Sequence, residues 1–186
     1  FASGVRASVH FLANTSGLSE HLPKALAGFL REHRDVAIDI EERESTDIAA
    51  AITAGAADLG FAAEHALPDH IERFVFSEDH LTLVTSRRGP FAGRRQIDFQ
   101  EAGACEFVGL TSATALQMHI SKHAARLGMR PHDRARLRDF DAFCQMGTAD
   151  VGVALLPISA ARRCAKMMPP AMVRPRAARA TRNIVS

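Results

Sequence analysis

The side chains best suited to chemistry stand in two short runs, Asn14-Thr15-Ser16 and Thr111-Ser112-Ala113, each placed where an apolar stretch gives way to a helical pattern. Main-chain N–H groups at a helix start lack intrahelical acceptors and the helix dipole favours negative charge there. Hydroxyls at such a point make a seat for a carboxylate or phosphate. The competing reading is that Ser16 and Ser112 only cap their helices. Catalysis fits less well, because GxSxG, GxGxxG, the P-loop and HExxH are all missing. Ser16 occupies a strand-to-helix turn as a hydrolase nucleophile would, but the glycine that should precede it is lacking, and no base with an orienting partner stands out. His119 and His123, four apart on an expected helix, could share a metal, yet Lys122 and Arg126 beside them indicate a solvated face, and spacing offers no third ligand. Met118, Met129, Met146 and the Met167-Met168 pair read as core filling. No enzyme, metal or cofactor is expected.

Those runs need elements to hold them. Val5 to Leu12 alternates loosely and reads as a strand ending at Asn14-Thr15-Ser16-Gly17. Leu22, Ala25, Leu26, Phe29 and Leu30 recur at three and four, which predicts a helix from Leu18 to about His33 with Glu20, Lys24, Arg31 and Glu32 outward. Val36, Ile38 and Ile40 mark a strand, Ser45 or Thr46 caps a helix carrying Ile48, Ala51 and Ile52, Gly55 ends it, and Asp58 to Ala62 is a third strand. Strand, helix, strand, helix, strand demands a parallel sheet with right-handed crossovers. Strands at Ile71 to Phe76 and Leu81 to Thr85, a turn at Arg88-Gly89-Pro90 and a short helix near Phe99 follow. The pattern then restarts: strand Glu106 to Leu110, helix Ala113 to Leu127 closed by Gly128, strand Ala135 to Asp139, helix Ala142 to Gly147, and strand Val151 to Leu156 stopped by Pro157. The fold class is α/β, with two lobes of one design: residues 1–78 plus 182–186, and residues 79–181.

Two echoes support that repetition. Phe11-Leu12-Ala13-Asn14-Thr15-Ser16 matches Phe107-Val108-Gly109-Leu110-Thr111-Ser112 in Phe, Thr and Ser, and Gly55 to Ala62 matches Gly147 to Ala154 in Gly, Ala, Asp, Gly and Ala. Both recur in the same order, as two lobes with the same strand–helix logic require. In open α/β sheets ligands lie beyond the carboxyl ends of strands, so a cleft between lobes is the expected site.

Composition narrows the classes further. The 186 residues are 47% hydrophobic, and no apolar run approaches the ~18 residues a membrane span needs, so disorder and a membrane role are not expected. The net charge of +2 hides an asymmetry, since residues 158–186 hold seven basic side chains and no acid while the remainder carries 16 basic against 21 acidic. Those basic residues alternate with Met, Val, Ala and Pro, as on a packed element with one wet face rather than a nucleic-acid arm. Cys105, Cys144 and Cys164 are widely spaced and form no CxxC. They read as reduced and buried in a cytoplasmic protein, with a redox-sensing pair as the alternative.

Over nearly its whole length the chain resembles the effector-binding domain of LysR-type transcription regulators. The resemblance rests on Val5-Arg6 leading into Ala13 to Ser19, on Leu22-Pro23 with Leu26 and Phe29, on His33 to Ile38, Ala57 to Phe61, Phe91-Ala92-Gly93 and Val151 to Pro157. It implies a fold like the type 2 periplasmic binding proteins, two Rossmann-like lobes holding a small organic, often anionic effector. Carried across, the contacts are Asn14, Thr15, Ser16, Thr111, Ser112 and Ala113. Glu44, Ser45, Thr46, Phe61, Ala62 and Phe140 are weaker candidates, and Phe61 and Phe140 serve equally well as core. It also implies a homodimer or homotetramer using the outer side of Leu18–His33, with DNA and RNA polymerase reached through an amino-terminal winged helix-turn-helix not present in this chain. Asp150 departs from the family's usual glycine, and Asn183-Ile184-Val185 looks like the strand returning to the first lobe, without the helix that usually follows. The alternative from another class is a stand-alone solute-binding protein of the periplasmic type; an enzyme on the same scaffold is a third reading.

Overall fold

Successive side chains of a strand point to opposite faces, and this alone divides the first sheet's two coats. In β1 (Ala7–Ala13), Phe11 and Ala13 turn to one face and cluster with Leu22 and Phe61, whereas Leu12 turns to the other and packs on Ile48 and Ala62. The computed structural model describes residues 7–112, 114–167, 170–175 and 182–185, the last four by backbone alone. From β1 a π-helical turn, Gly17–His21, leads into α1 (Leu22–Glu32), followed by β2 (Val36–Glu42), α2 (Ser45–Thr53), β3 (Leu59–Ala63), a 3-10 turn at Glu64–Ala66 and β4 (Val75–Asp79). Next come β5 (Leu81–Thr85), β6 (Gln96–Ile97), α3 (Phe99–Ala102), β7 (Glu106–Leu110), α4 (Ala115–Arg126) and β8 (His132–Leu137). The chain ends with α5 (Phe140–Thr148), β9 (Val153–Pro157), α6 (Ile158–Met167), β10 (Ala171–Pro175) and β11 (Arg182–Val185).

Two units result, Phe1–Glu78 with Asn183–Ser186, and Asp79–Arg182. The first holds a sheet ordered β2-β1-β3-β11-β4, with β1 parallel to both β2 and β3 and β11 antiparallel to β3. The second holds a six-stranded sheet ordered β6-β10-β5-β9-β7-β8, where β7 runs parallel to β8 and β9 while β5 runs antiparallel to β9 and β10. Strands β5 and β9 are buried throughout, which is why Leu81 to Thr85 and Val153 to Pro157 are apolar-rich runs rather than alternating ones.

Several boundaries move from their expected places. Residues 71–74 are loop and β4 begins at Val75. Strand β8 closes at Leu137 because Asp139 is committed elsewhere: its carboxylate accepts from the N–H groups of Asp141 and Ala142 and so starts α5 at Phe140. Pro157 ends β9 but does not stop the chain from continuing directly into α6, an element the periodicity reading missed. On α1 Leu22 is buried and Leu26 packs half-buried against the same cluster, whereas Ala25, Phe29 and Leu30 are exposed, so the expected stripe is narrower than the periodicity implies.

The second echo is only partly structural. Gly60 and Gly152 both mark close approaches: an added Cβ would lie 2.5 Å from Ile48 Cγ2 in one case and 2.6 Å from the Glu106 carbonyl oxygen in the other. The turns before them differ. Gly55 carries φ 68° directly after α2, whereas Gly147 stays inside α5 and the left-handed residue is Asp150 at φ 63°. A left-handed φ at position 150 favours glycine, and aspartate is among the side chains that tolerate it.

The cysteine reading is corrected. Cys144 on α5 and Cys164 on α6 form a disulfide, with Cα atoms 6.3 Å apart, and both are buried. Cys105 is free and half-buried, and burial raises its thiol pKa above the ordinary value. Sequence spacing cannot reveal such a pairing, since it depends on how two helices meet. Met118 and Met167 are exposed rather than core, and Met168 lies outside the described residues.

Candidate functional site

At the end of β1 the chain turns into a helix, and Asn14 makes the turn. Its Oδ1 accepts the Gly17 N–H at 2.9 Å, the i to i+3 bond of an N-cap, while its Nδ2 donates to Ser45 Oγ at 3.0 Å. Ser45, at the start of α2, also accepts the Ala63 N–H at 3.1 Å, so one buried hydroxyl ties together the ends of β1, β3 and α2. Asn14 and Ser45 therefore spend their polar groups holding the scaffold. Thr15 donates its hydroxyl to Glu42 Oε1 at 2.6 Å. The Gly17 and Leu18 N–H groups are thus taken by Asn14, and the Ser16 hydroxyl, buried beside them, makes no side-chain capping bond. Asn14, not Ser16, is the cap.

Packing beneath explains why Gly17 stands where it does. A Cβ there would lie 2.4 Å from Phe61 Cδ1. Phe61 is fully buried, stacked 5.7 Å from the His21 ring and edge-on to Phe76 at 5.3 Å, and Ala62 is buried against Leu12 and Ile48. These two expected contacts are core in the first unit. Thr46 is exposed on the first turn of α2 and borders a shallow depression with Ala49, Ala50 and Thr53 rather than joining Asn14 and Ser45. Glu44 precedes α2 in extended backbone and gives no side-chain cap.

The second unit repeats the plan with different side chains. Thr111 leaves β7 with its N–H on the Leu137 carbonyl of β8, and Thr114, which the sequence reading passed over, caps α4: its Oγ1 accepts the Gln117 N–H at 3.1 Å and donates to the Thr111 carbonyl at 3.0 Å. Gln117 Oε1 returns to the Leu110 N–H at 3.0 Å. Ser112 is exposed, and Ala113 lies outside the described residues. The Thr111 hydroxyl is buried with no hydrogen-bond partner among the described residues. A buried unpaired hydroxyl costs about 1–3 kcal/mol, so its place at a strand end needs an explanation. Phe140, the first residue of α5, is core, its carbonyl 3.9 Å from Cys164 Sγ.

The described residues hold no cluster of three or more His, Cys, Asp or Glu side chains placed to grip an ion. His123 is not on a solvated face: its ring lies 5.6 Å from Phe99 and its Nε2 is buried. Among the described residues no helix is long and apolar enough to cross a membrane.

Comparison with known proteins adds the family. The LysR substrate binding domain matches residues 2–181. The chain is 23% identical over 139 residues to the uncharacterized HTH-type transcriptional regulator YwbI of Bacillus subtilis (strain 168), a match covering 75% of this chain and 46% of that protein. It thus spans about half the length of that curated relative. In fold it is similar to the CcmR regulatory domain of Synechocystis PCC6803 in complex with 2-PG (TM-score 0.85, 14% identity, 97% and 86% of the two chains). The BenM effector binding domain with its effector benzoate is similar too (TM-score 0.82, 16% identity, 98% and 83%). The chain belongs to the LysR substrate binding domain family.

Proposed function

We propose that this chain is the effector-sensing part of a LysR-type transcription regulator and that it binds a small organic anion. The observation that carries the reading is the Thr111 hydroxyl, buried at the carboxyl end of β7 with no hydrogen-bond partner among the described residues. A ligand carboxylate or phosphate would satisfy it together with the neighbouring Ser112 hydroxyl, and Ser16, at the corresponding helix start of the first unit, offers the same chemistry. Benzoate and 2-PG, bound by the BenM and CcmR domains, have the same character. Asn14 and Ser45 act as positioning residues, and the chain does no chemistry on its ligand. Binding shifts the population of two arrangements of a homodimer or homotetramer, which requires only a few kcal/mol of differential affinity. That shift changes how the full-length cytoplasmic protein holds DNA and meets RNA polymerase. The exposed Ala25, Phe29 and Leu30 on α1 supply apolar surface for pairing of copies.

The test is a thermal-shift screen against small carboxylates, sugar acids and phosphorylated acids, repeated with Ser16→Ala and Thr111→Val. A ligand that raises Tm in the parent and loses most of its effect in Ser16→Ala or in Thr111→Val supports the reading. A ligand indifferent to both moves the site elsewhere.

A further inference from the structure

The first unit contains a cavity of about 450 Å³ whose lining includes none of Asn14, Thr15, Ser16 or Ser45. Its floor is buried and apolar: Ile48 and Ala49 from α2 and Ala62 from β3. Ile52 and Leu67 form walls, and the loop 70–74 between the 3-10 turn and β4 forms the rim. A volume of this size admits one ring with a short substituent, within the range of small-molecule sites.

The rim decides which substituent. Among the described residues Arg73 is paired at 3.5 Å with Asp69, whose side chain is fully exposed, and His70 Nε2 lies 3.4 Å from Thr53 Oγ1, whose own proton goes to the Ala49 carbonyl at 2.8 Å. Both are loosely held, and an ion pair of that kind contributes little where it stands. Of the two acids in the lining, Asp58 is engaged, accepting the His10 N–H at 2.8 Å, and Glu72 is exposed. We infer that this cavity is a second small-molecule site, taking a compact aromatic or branched carboxylate whose ring rests on Ile48, Ala49 and Ala62 and whose carboxylate is met by Arg73. Its wall is α2, the helix whose first residue, Ser45, holds Asn14 at the end of β1. Occupancy here therefore bears on the scaffold of the proposed effector contacts without sharing a ligand contact with them.

The probe is 4-(trifluoromethyl)benzoate followed by 19F NMR, with 4-(trifluoromethyl)benzyl alcohol as the neutral partner. Four variants are compared, each checked for an unchanged circular-dichroism spectrum: Ala49→Leu to fill the cavity, Arg73→Gln and Glu72→Gln at the rim, and Ser16→Ala at the other site. The acid is expected to bind the parent and Ser16→Ala alike, to weaken at least tenfold in Ala49→Leu and about fivefold in Arg73→Gln, and to tighten about twofold in Glu72→Gln. The alcohol is expected to respond to Ala49→Leu alone. Acid binding that ignores Ala49→Leu and Arg73→Gln, acid binding lost only in Ser16→Ala, or no binding of either probe at millimolar concentration overturns the inference. The second of these outcomes leaves the proposed effector site standing, and loss of that site leaves this one standing.

Discussion

Replacing Asn14 separates holding a site from touching a ligand. Asn14→Ala removes the N-cap bond to the Gly17 N–H, worth about 1 kcal/mol. It also removes the bond to Ser45 Oγ, worth about another 1 kcal/mol at a buried position. A loss near 2 kcal/mol corresponds to roughly 4–8 °C in Tm for a chain of this size. Asn14→Asp keeps the acceptor and puts a negative charge at the helix start, worth about 0.3–1 kcal/mol in its favour. The Ser45 hydroxyl, which accepts the Ala63 N–H through oxygen, still has its own proton to turn toward the new carboxylate. Asn14→Asp is therefore expected to lose less than half of what Asn14→Ala loses, measured by thermal and urea unfolding of the three proteins side by side. Equal losses in the two variants would refute the capping role, and a loss under 1 °C in Asn14→Ala would refute the whole account of this turn.

Other consequences are open to the same kind of measurement. Glu42 accepts the Thr15 hydroxyl beside the helix start, so Glu42→Gln should tighten an anionic effector several-fold in calorimetry, and weakened binding would contradict an anion there. Closing a loop across 20 residues, the Cys144–Cys164 bridge should contribute about 3 kcal/mol, so intact mass should rise by about 2 Da and Tm fall by roughly 6–12 °C on reduction; an unchanged mass means the thiols are separate. With its pKa raised by burial, Cys105 keeps its proton to higher pH than a free thiol, so alkylation at pH 8 should be slower than that of glutathione and should accelerate above the ordinary thiol range. Gly28 has open space where a Cβ would go, so Gly28→Ala in α1 should stabilise by about 0.5–1 kcal/mol, whereas Gly17→Ala, driven into Phe61, should lower Tm by several degrees.

Periodicity exposed the strands and helices whose faces differ, as in Val36 to Glu42, and the two strand-to-helix turns carrying Thr and Ser. It could not show which polar residue at a turn serves the scaffold. Asn14 and Thr114 cap, leaving Ser16 free of that task, because capping depends on which side chain reaches the third N–H. Phe61 and Ala62 follow the third strand's alternation into opposite cores, a placement that the sequence pattern alone did not distinguish from a ligand-facing one. The disulfide and α6 stayed hidden for related reasons: one depends on helix packing, the other on a helix of high polarity beginning without a break at the end of β9. Glu42 and the cavity beside α2 were invisible because both are made by residues that meet only after the sheet has formed.

The position of β11 has a bearing on how the molecule comes into being. It lies between β3 and β4 in the first sheet, yet it is supplied by residues 182–185, after the entire second unit. During synthesis β3 and β4 emerge early and must wait for the strand that joins them, holding unpaired edges in the meantime. The second unit, continuous from Asp79 to Arg182, meets no such delay and can complete its core first. Such a long-range closure raises contact order and slows the last step. Refolding should then show two phases, the slower one reporting the arrival of β11 and abolished as a separate phase in a circular permutant that begins with residues 182–186.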